Sequence, residues 1–222
     1  MRRIFALLLS LSLLIVPVRA EEPQYVALTF DDGPSGRFTR RLLDGLAERD
    51  VKATFLLCGY RIETYSAEAQ RIYDEGHEIG IHGYSHDSMC PMSRAEIAQE
   101  IEKTAALLPE SCESVFLRPP GGLCSDAVDS AAEDAGLAIL SWSVDPKDWA
   151  CSNADEITKA VVSRVKDGDV ILLHDMSDSS VNAALAIIDI LQKRGFQFVT
   201  ASELAGIKGV TLTPGEEYHC FP

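Results

Sequence analysis

Short apolar, strand-like segments alternate with longer amphipathic segments along most of this chain. Apolar side chains recur at helical spacing between the strand-like runs, for example at Phe38, Leu42, Leu43 and Leu46. Glycines at 76, 136 and 195 stand where several of these predicted helices end. The predicted strands cover residues 25–32, 52–57, 78–82, 114–119, 138–145, 170–175 and 197–200. Such alternation predicts an α/β protein with parallel strands and right-handed crossovers.

Two architectures fit this alternation, a closed barrel and an open doubly wound sheet. The seven units fit into about 180 residues, the size of a single domain. Polar motifs follow five different strands, and in a closed barrel those strand ends meet at one mouth. We therefore predict a distorted (β/α)7-8 barrel in one domain over residues 21–222.

The first twenty residues have the pattern of a secretory signal peptide. Arg2 and Arg3 precede an apolar run over residues 4–16, and small residues precede position 21. The run is shorter than the roughly 20 apolar residues that span a bilayer. An uncleaved membrane anchor is the alternative. The prediction is a secreted protein, extracellular or associated with the cell wall.

The charge and the cysteine count narrow the range of partners. Residues 1–20 hold three of the 20 basic residues and none of the 34 acidic ones, so the mature chain is strongly acidic. Such a surface is repelled by nucleic acid and by anionic lipid. All six cysteines lie beyond residue 20, and an even count in an exported chain suggests disulfides. The chain contains no Cys-x-x-Cys pair that would favour a structural zinc site.

The first strand ends in two adjacent carboxylates, Asp31 and Asp32, followed by Gly-Pro. Successive side chains of a strand point to opposite faces, so one carboxylate can bind a metal while the other acts as a base. The alternative is an ordinary acidic turn. His82 and His86 follow the third strand, and on a helical turn their rings would share one face. Two imidazoles and a carboxylate make an open three-ligand site of the catalytic zinc type, whereas two exposed loop histidines are the alternative.

Three further strands end in candidate functional residues. Arg118 follows the fourth strand and can bind a carboxylate, or else form a surface salt bridge. Asp145 ends the fifth strand, and Trp149 follows closely. This tryptophan is a candidate for stacking on a sugar, with ordinary packing as the alternative. His174 ends the sixth, where it is a candidate general acid or a core histidine.

Taken together, these motifs resemble those of the NodB-homology polysaccharide deacetylases, carbohydrate esterase family 4. That family carries Thr-Phe-Asp-Asp-Gly-Pro, His-x-x-x-His, Arg-x-Pro, Asp-x-x-Asp-Trp and Leu-x-His, and all five occur here in that order between residues 29 and 175. The resemblance implies a NodB-type barrel and a metal-dependent hydrolase that removes N-acetyl groups from an amino-sugar polymer. Peptidoglycan or a chitin-type oligosaccharide is the implied substrate.

The resemblance also implies a role for each matching residue. Asp32, His82 and His86 would bind a divalent ion, usually zinc, with cobalt or another ion possible. Asp31 would be the base that deprotonates the metal-bound water, with Arg118 holding it in place. His174 would protonate the leaving amine, oriented by Asp145. The Gly121 N–H would help to hold the oxyanion, and Trp149 and Leu172 would line the acetyl pocket.

The sequence departs from the family at two places. Gly83 stands where Ser or Thr is common, which removes a hydroxyl that supports the metal-binding loop. Gly121-Gly122 stands where an aromatic residue often follows Arg-Pro-Pro, which leaves a more open floor for the sugar.

We further expect Cys58, Cys90, Cys124 and Cys151 to pair among themselves at the barrel mouth, and Cys112 to pair with Cys220.

Two other functions stay open. An O-acetyl esterase acting on xylan-like polysaccharide would use the same residues. A non-catalytic saccharide-binding protein on the same scaffold would have lost a metal ligand or the base, and this sequence retains both. The oligomeric state is not predicted.

Overall fold

The computed structural model describes residues 23–222, in which eight β-strands are interleaved with eight α-helices. The strands are β1 (Gln24–Asp31), β2 (Thr54–Leu57), β3 (Glu78–Ile81), β4 (Phe116–Leu117), β5 (Ala138–Leu140), β6 (Val170–His174), β7 (Phe196–Val199) and β8 (Glu217–Tyr218). The helices are α1 (Arg37–Glu48), α2 (Gly59–Thr64), α3 (Ser66–Asp74), α4 (Arg94–Ala105), α5 (Asp126–Asp134), α6 (Ala154–Val162), α7 (Asp178–Lys193) and α8 (Ala201–Ile207). The predicted signal peptide lies outside the described residues.

The strands form one curled parallel sheet, which confirms the predicted barrel-type fold. Its order is β6-β1-β2-β3-β4-β5-β8, and β7 pairs with the first half of β1. A parallel bridge between Val144 and Ile171 connects the chain beyond β5 back to β6. This bridge replaces a full strand pairing, so the barrel is distorted and incompletely closed.

The strand predicted over residues 138–145 is too long, because β5 ends at Leu140. The side chain of Arg118 accounts for this end. Its Nε donates to the carbonyl of Leu140 at 2.6 Å, and its Nη2 donates to the carbonyl of Ser141 at 2.8 Å. These carbonyls are therefore satisfied by a side chain. The sequence analysis missed β8, a two-residue strand beside β5 without an apolar alternation.

The helices follow the predicted apolar positions and capping signals. Leu42, Leu43 and Leu46 of α1 are fully buried. Ser93 caps α4 through a reciprocal capping box with Glu96, which satisfies backbone donors at the start of the helix. The glycines at 76, 136 and 195 directly follow the C-cap residues of α3, α5 and α7 with positive φ, as predicted.

The largest hydrophobic cluster joins the sheet to α1, α6 and α7 and includes the stacked rings of Phe30 and Phe55, 5.2 Å apart. A second cluster packs α8 and Phe221 against residues of β2, β4 and β5, and a third packs α4 and α5 onto β3 and β5. Within residues 23–222, no helix combines the length and the apolar character needed to cross a bilayer.

The predicted disulfides are absent from the structure. All six cysteines, which lie within the described residues, are free thiols. Their sulfurs face other groups: Cys58 Sγ lies 3.7 Å from the carbonyl of His82, and Cys151 Sγ lies 3.6 Å from that of Asn153. Spacing along the chain does not determine such side-chain directions, and the predicted pairings are therefore not supported.

Candidate active site

Strand register brings the candidate residues together at the carboxyl ends of the sheet. Asp31 is the register partner of His174 across β1 and β6. Ile81 is the register partner of Leu117, so the residues that follow them, His82 and Arg118, emerge side by side. Sheet pairing thus makes the residues of each pair neighbours, and the curling of the sheet brings the two pairs together across β2.

Asp32, His82 and His86 each direct one potential ligand atom toward a common point, with all three atoms within 4.8 Å of one another. Oδ1 of Asp32 lies 3.3 Å from Nε2 of His82 and 2.9 Å from Nε2 of His86. Burial alone would raise the pKa of Asp32, but the two imidazoles outweigh it and hold the pKa well below its usual range. Asp32 therefore stays ionised and available to a cation.

The two histidines do not share a helical turn, contrary to the expectation from their spacing. Residues 82–86 form an irregular loop in which Gly83 has φ 75° and His86 has φ 67°. These left-handed residues turn the chain so that both rings converge, with centroids 5.2 Å apart. The loop thus brings the rings of His82 and His86 together, which we had predicted from helical spacing.

The hydrogen bonding of His82 fits a metal ligand. Its Nδ1 lies 2.7 Å from the carbonyl of Arg118, which can only accept, so Nδ1 carries the proton. The neutral ring then presents a lone pair at Nε2, on the side of Asp32. Oδ1 of Asp32 is buried and makes no hydrogen bond of acceptable geometry. A buried, unsatisfied carboxylate oxygen facing two imidazole nitrogens is a suitable donor set for a divalent cation.

Asp31 and Arg118 form a fully buried ion pair beside this site. Nη1 of Arg118 donates to Oδ1 of Asp31 at 2.6 Å and to the hydroxyl of Thr29 at 2.9 Å. The carboxylate is 3 % exposed and the arginine 0 %. The contact is made through a single guanidinium nitrogen, because the other two bind backbone carbonyls. Oδ2 of Asp31 lies 3.8 Å from Nε2 of His82, at the edge of the three-ligand site.

The carboxylate partner of His174 is Asp148, which corrects the prediction of Asp145. Oδ1 of Asp148 lies 2.8 Å from Nδ1 of His174, and its Oδ2 accepts the backbone N–H of His174 at 2.9 Å. Asp145 instead accepts the N–H of Lys147 at 2.7 Å. The resemblance had assigned this role to Asp145, at the end of the predicted strand over residues 138–145, whereas a turn with Lys147 at φ 56° delivers Asp148 to the histidine.

The surroundings of His174 favour its protonated form. Burial lowers the pKa of this imidazole, but the hydrogen bond to Asp148 and the charges of Asp148, Asp31 and Asp32 more than offset burial and raise it to about 9. His174 is therefore protonated at neutral pH. Its Nε2 lies 3.9 Å from Oδ2 of Asp32, so the proton-donating edge faces the three-ligand site.

Asp175, the residue after His174, is a buried carboxyl group that the sequence analysis did not single out. Thr39 donates a hydrogen bond to its Oδ2, while its Oδ1 is buried without a partner. A Cβ on Gly33 would lie 2.8 Å from that oxygen, so the loop after Asp32 packs directly on it. Burial raises the pKa of Asp175 to about 6.

A cavity of about 390 Å³ opens at this end of the barrel. It is lined by every predicted site residue except Arg118, which lies buried behind Asp31, and it also contacts Trp142: Asp31, Asp32, His82, His86, Gly121, Trp142, Asp145, Trp149, Leu172 and His174. A neighbouring cavity of about 450 Å³ shares Asp32, Trp149 and His174 with it. Trp149 is 68 % exposed, so an aromatic face borders both cavities.

The sequence analysis missed Asp148 and Trp142. The second acid of Asp145-Pro-Lys-Asp148-Trp149 was visible as an equal candidate for His174. Trp142 carried no comparable signal. Its ring lies 5.6 Å from the guanidinium carbon of Arg118 and fills the space that a Cβ on Gly122 would need.

Comparison with known proteins identifies relatives that are similar over most of this chain. A peptidoglycan-N-acetylglucosamine deacetylase of Bacillus cereus is 38% identical over 189 residues, which are 82% of this chain and 89% of that protein. The peptidoglycan-N-acetylglucosamine deacetylase PgdA of Listeria monocytogenes is 35% identical over 90% of this chain, which spans 42% of that relative. A family 4 acetyl xylan esterase from Clostridium thermocellum, solved in complex with a cobalt ion, superposes with a TM-score of 0.84 at 36% identity, covering 90% of this chain and 100% of that one.

The polysaccharide deacetylase family model matches residues 19–140, more than half of the chain. The matched segment holds β1, the His82–His86 loop and Arg118, and the remaining site residues follow on β6 and on the loop after β5. The chain belongs to the polysaccharide deacetylase family.

Proposed function

We propose that this protein is a metal-dependent hydrolase that removes N-acetyl groups from an amino-sugar polymer. One observation carries the proposal: Asp32, His82 and His86 surround one point, with the Asp31–Arg118 pair on one side and the Asp148–His174 pair on the other. Amide hydrolysis needs an activated water, a polarised carbonyl and a proton for the departing nitrogen. The site contains a group for each requirement.

Asp32, His82 and His86 would hold the ion, and their two nitrogens and one oxygen suit zinc. A divalent cation bound there would polarise the acetyl carbonyl and lower the pKa of water to about 7. Cobalt is an alternative, because the related acetyl xylan esterase was solved with that ion. The open side of the three-ligand site faces the cavity, where substrate and water can enter.

Asp31 would act as the general base. Its Oδ2 is the oxygen left free by Arg118 and lies on the side of the three-ligand site. It would accept a proton from water as the water oxygen attacks the acetyl carbon. Arg118 holds the other oxygen at 2.6 Å and fixes the direction of the carboxylate.

His174 would act as the general acid. It carries a proton at neutral pH, and Asp148 fixes its ring through Nδ1, so Nε2 is the donating atom. This proton would pass to the amide nitrogen as the C–N bond breaks, giving acetate and a free amine. Asp31 would thus accept a proton and His174 would donate one. Each is held by its own partner, Asp31 by Arg118 and His174 by Asp148.

The walls of the cavity would position the acetyl group. Gly121 lines it with φ 72°, and no atom lies within 4 Å of the place that a Cβ would occupy on this residue, so its backbone is open to a substrate oxygen. Its N–H would stabilise the oxyanion that develops on the carbonyl. Leu172 and Trp149 would enclose the methyl group from the apolar side.

A β-linked polymer such as peptidoglycan or a chitin-type oligosaccharide would fit this cleft. The two adjoining cavities share Trp149 as a lining residue, and its exposed ring can stack on a sugar. Two of the three relatives named above, those of Bacillus cereus and Listeria monocytogenes, are peptidoglycan-N-acetylglucosamine deacetylases. Such a substrate agrees with the predicted signal peptide and with an extracellular or wall-associated location.

The proposal is tested by acetate release from chitooligosaccharides, intact peptidoglycan and acetylxylan, each with and without a chelator. We expect release from an amino-sugar substrate that stops with the chelator and returns with Zn²⁺ or Co²⁺. Activity that persists in the chelator would contradict the metal role.

The assignment of the two adjacent aspartates is tested separately. Asp31→Asn should lower turnover by about 10²–10⁴-fold, because it removes the base, yet leave metal binding intact. Metal content measured by atomic emission checks this expectation. If the variant loses its metal instead, the roles of Asp31 and Asp32 are exchanged.

An O-acetyl esterase acting on xylan-like polysaccharide is the second candidate, favoured by the similarity to the acetyl xylan esterase. An ester needs less help at the leaving oxygen than an amide needs at nitrogen. His174→Ala should therefore retain more activity on acetylxylan than on acetylated amino sugars. If the wild-type protein releases acetate from acetylxylan but not from the amino-sugar substrates, the protein is an O-acetyl esterase.

A further inference from the structure

The loop that carries His82 and His86 has no regular structure to fix it. Two of its five residues, Gly83 and His86, adopt left-handed backbone conformations. The side chain of His86 is 42% exposed, so packing restrains this ligand only in part. Bringing a flexible ligand into place costs conformational entropy, and metal affinity therefore depends on what holds the loop.

One carboxylate on α4 accepts hydrogen bonds from the segment between the two histidines. Oε2 of Glu100 accepts the N–H of Tyr84 at 2.8 Å, the N–H of Ser85 at 2.8 Å and the hydroxyl of Ser85 at 2.9 Å. Three donors of the loop thus converge on a single acceptor oxygen, so one side chain satisfies them all.

The opposite side of the same segment is held by the N-terminus of α2. The N–H of Gly59 donates to the carbonyl of Gly83 at 3.0 Å, and the N–H of Tyr60 donates to the carbonyl of Tyr84 at 3.1 Å. These bonds come from backbone atoms and survive most substitutions. By contrast, the N–H groups of Tyr84 and Ser85 donate to a side chain, that of Glu100, and a substitution there removes their acceptor.

Gly83 lies between the two histidines and has φ 75°, a conformation that favours glycine. A Cβ at this position would lie 3.0 Å from Cε of Met89, which is tighter than ordinary packing, and 3.5 Å from Oε2 of Glu100, which is an ordinary contact. The hydroxyl that many family members carry at this position is absent, and the support of the loop comes from α4 instead.

We propose that Glu100 is a positioning residue that sets the metal affinity of the site by holding the loop between His82 and His86. Its carboxylate acts as a hydrogen-bond acceptor for the loop and is not itself a ligand. This inference rests on the proposed metal site. A partner that orients metal ligands typically changes metal affinity by about 10–100-fold when it is removed.

The test measures metal affinity directly, by competition titration of the metal-free full chain with Zn²⁺ and Co²⁺. Glu100→Ala should weaken binding by about 10–100-fold. Glu100→Gln should retain most of the affinity, because the amide oxygen can accept the same N–H groups. Glu102→Ala is the matched control: Glu102 is an exposed acid on the same helix, and this change should leave the affinity unaltered.

Hydrogen exchange of the metal-free protein gives a second measurement that does not depend on metal or on turnover. The amides of Tyr84 and Ser85 should lose protection in Glu100→Ala and keep it in Glu102→Ala. If Glu100→Ala folds poorly, Ser85→Ala removes one of the three hydrogen bonds and should give a smaller loss of affinity in the same direction.

Two results would overturn the inference while leaving the proposed function intact. One is wild-type affinity in Glu100→Ala. The other is an equal loss in Glu100→Gln and Glu100→Ala, which would mean that the charge, not the acceptor, matters. If the wild-type chain itself takes up no divalent ion, the proposed function fails, and the inference fails with it.

Discussion

The candidate site has a strand-end half and a loop half, and the two are held by different means. The strand-end half comprises residues at a strand's last position or one residue beyond it: Asp31, Asp32, His82, Arg118 and His174. The loop half comprises His86, Asp148 and Trp149, which lie four or more residues beyond a strand. Sheet register positions the first half, whereas local turns and side-chain hydrogen bonds position the second.

Because of this difference, substitutions in the two halves should affect stability and function to different extents. Asp31 and Arg118 are buried and paired, so their loss should disturb the fold as well as the proposed chemistry. His86 and Trp149 are exposed, so their loss should change the chemistry alone.

The largest effect on stability is expected at Arg118. Arg118→Met would leave the buried carboxylate of Asp31 and two backbone carbonyls without their partner. We expect a loss of about 3–5 kcal/mol in the free energy of unfolding, measured by denaturant titration. The control is Arg37→Met, which removes an exposed pair with Asp178 and should cost about 0–1 kcal/mol. Equal stability losses in the two variants would remove the distinction between buried and exposed pairs.

A pH-dependent effect on stability is expected at Asp175, directly after β6. Burial raises its pKa in the folded state to about 6, above the ordinary value of 3.8. Because the folded state holds this proton more tightly, the contribution of Asp175 to stability is most favourable below pH 4 and falls by about 3 kcal/mol as the pH rises toward about 6. Asp175→Asn keeps an acceptor for Thr39 and should abolish that slope. The measurement is the difference in free energy of unfolding between wild type and variant at several pH values; a constant difference would refute it.

A change in the pH profile of activity is expected at Asp148, the buried member of the loop half. Asp148→Asn removes the carboxylate that raises the pKa of His174 to about 9. Because the acid must be protonated to work, activity falls as the pH rises through that pKa. The alkaline limb of kcat/KM should therefore move to lower pH in the variant. Asp145→Asn is the control, since Asp145 does not contact His174, and an equal shift there would contradict the corrected assignment.

The smallest effect on stability is expected at His86. His86→Ala should remove most of the metal affinity but change the free energy of unfolding of the metal-free protein by no more than about 0.5 kcal/mol, because the side chain is exposed. Titration with Co²⁺ and denaturant unfolding measure the two quantities on one preparation. A large loss of stability would show that the loop half supports the fold after all.

The strand-end half was predictable from sequence, and the loop half was predictable only in part. An apolar run that ends in a charged residue marks a strand end, and parallel strands place their ends together. That logic found Asp31, His82, Arg118 and His174. The same reasoning placed Asp145 at a strand end, which is wrong because β5 ends at Leu140. The side chain of Arg118 binds the carbonyl of Leu140, and the sequence pattern does not reveal such an interaction between distant parts of the chain. His86 was found for an incorrect reason, since a left-handed loop and not a helix brings it to Asp32.

Arg118 links the two sides of the candidate site through one residue. Its guanidinium binds the carboxylate of Asp31, and its carbonyl lies against Nδ1 of His82. A displacement of the chain at this point would therefore disturb the proposed base and the hydrogen bond of a proposed ligand at the same time. The proposed activation of water and the proposed binding of the ion are thus coupled through one residue at the end of β4.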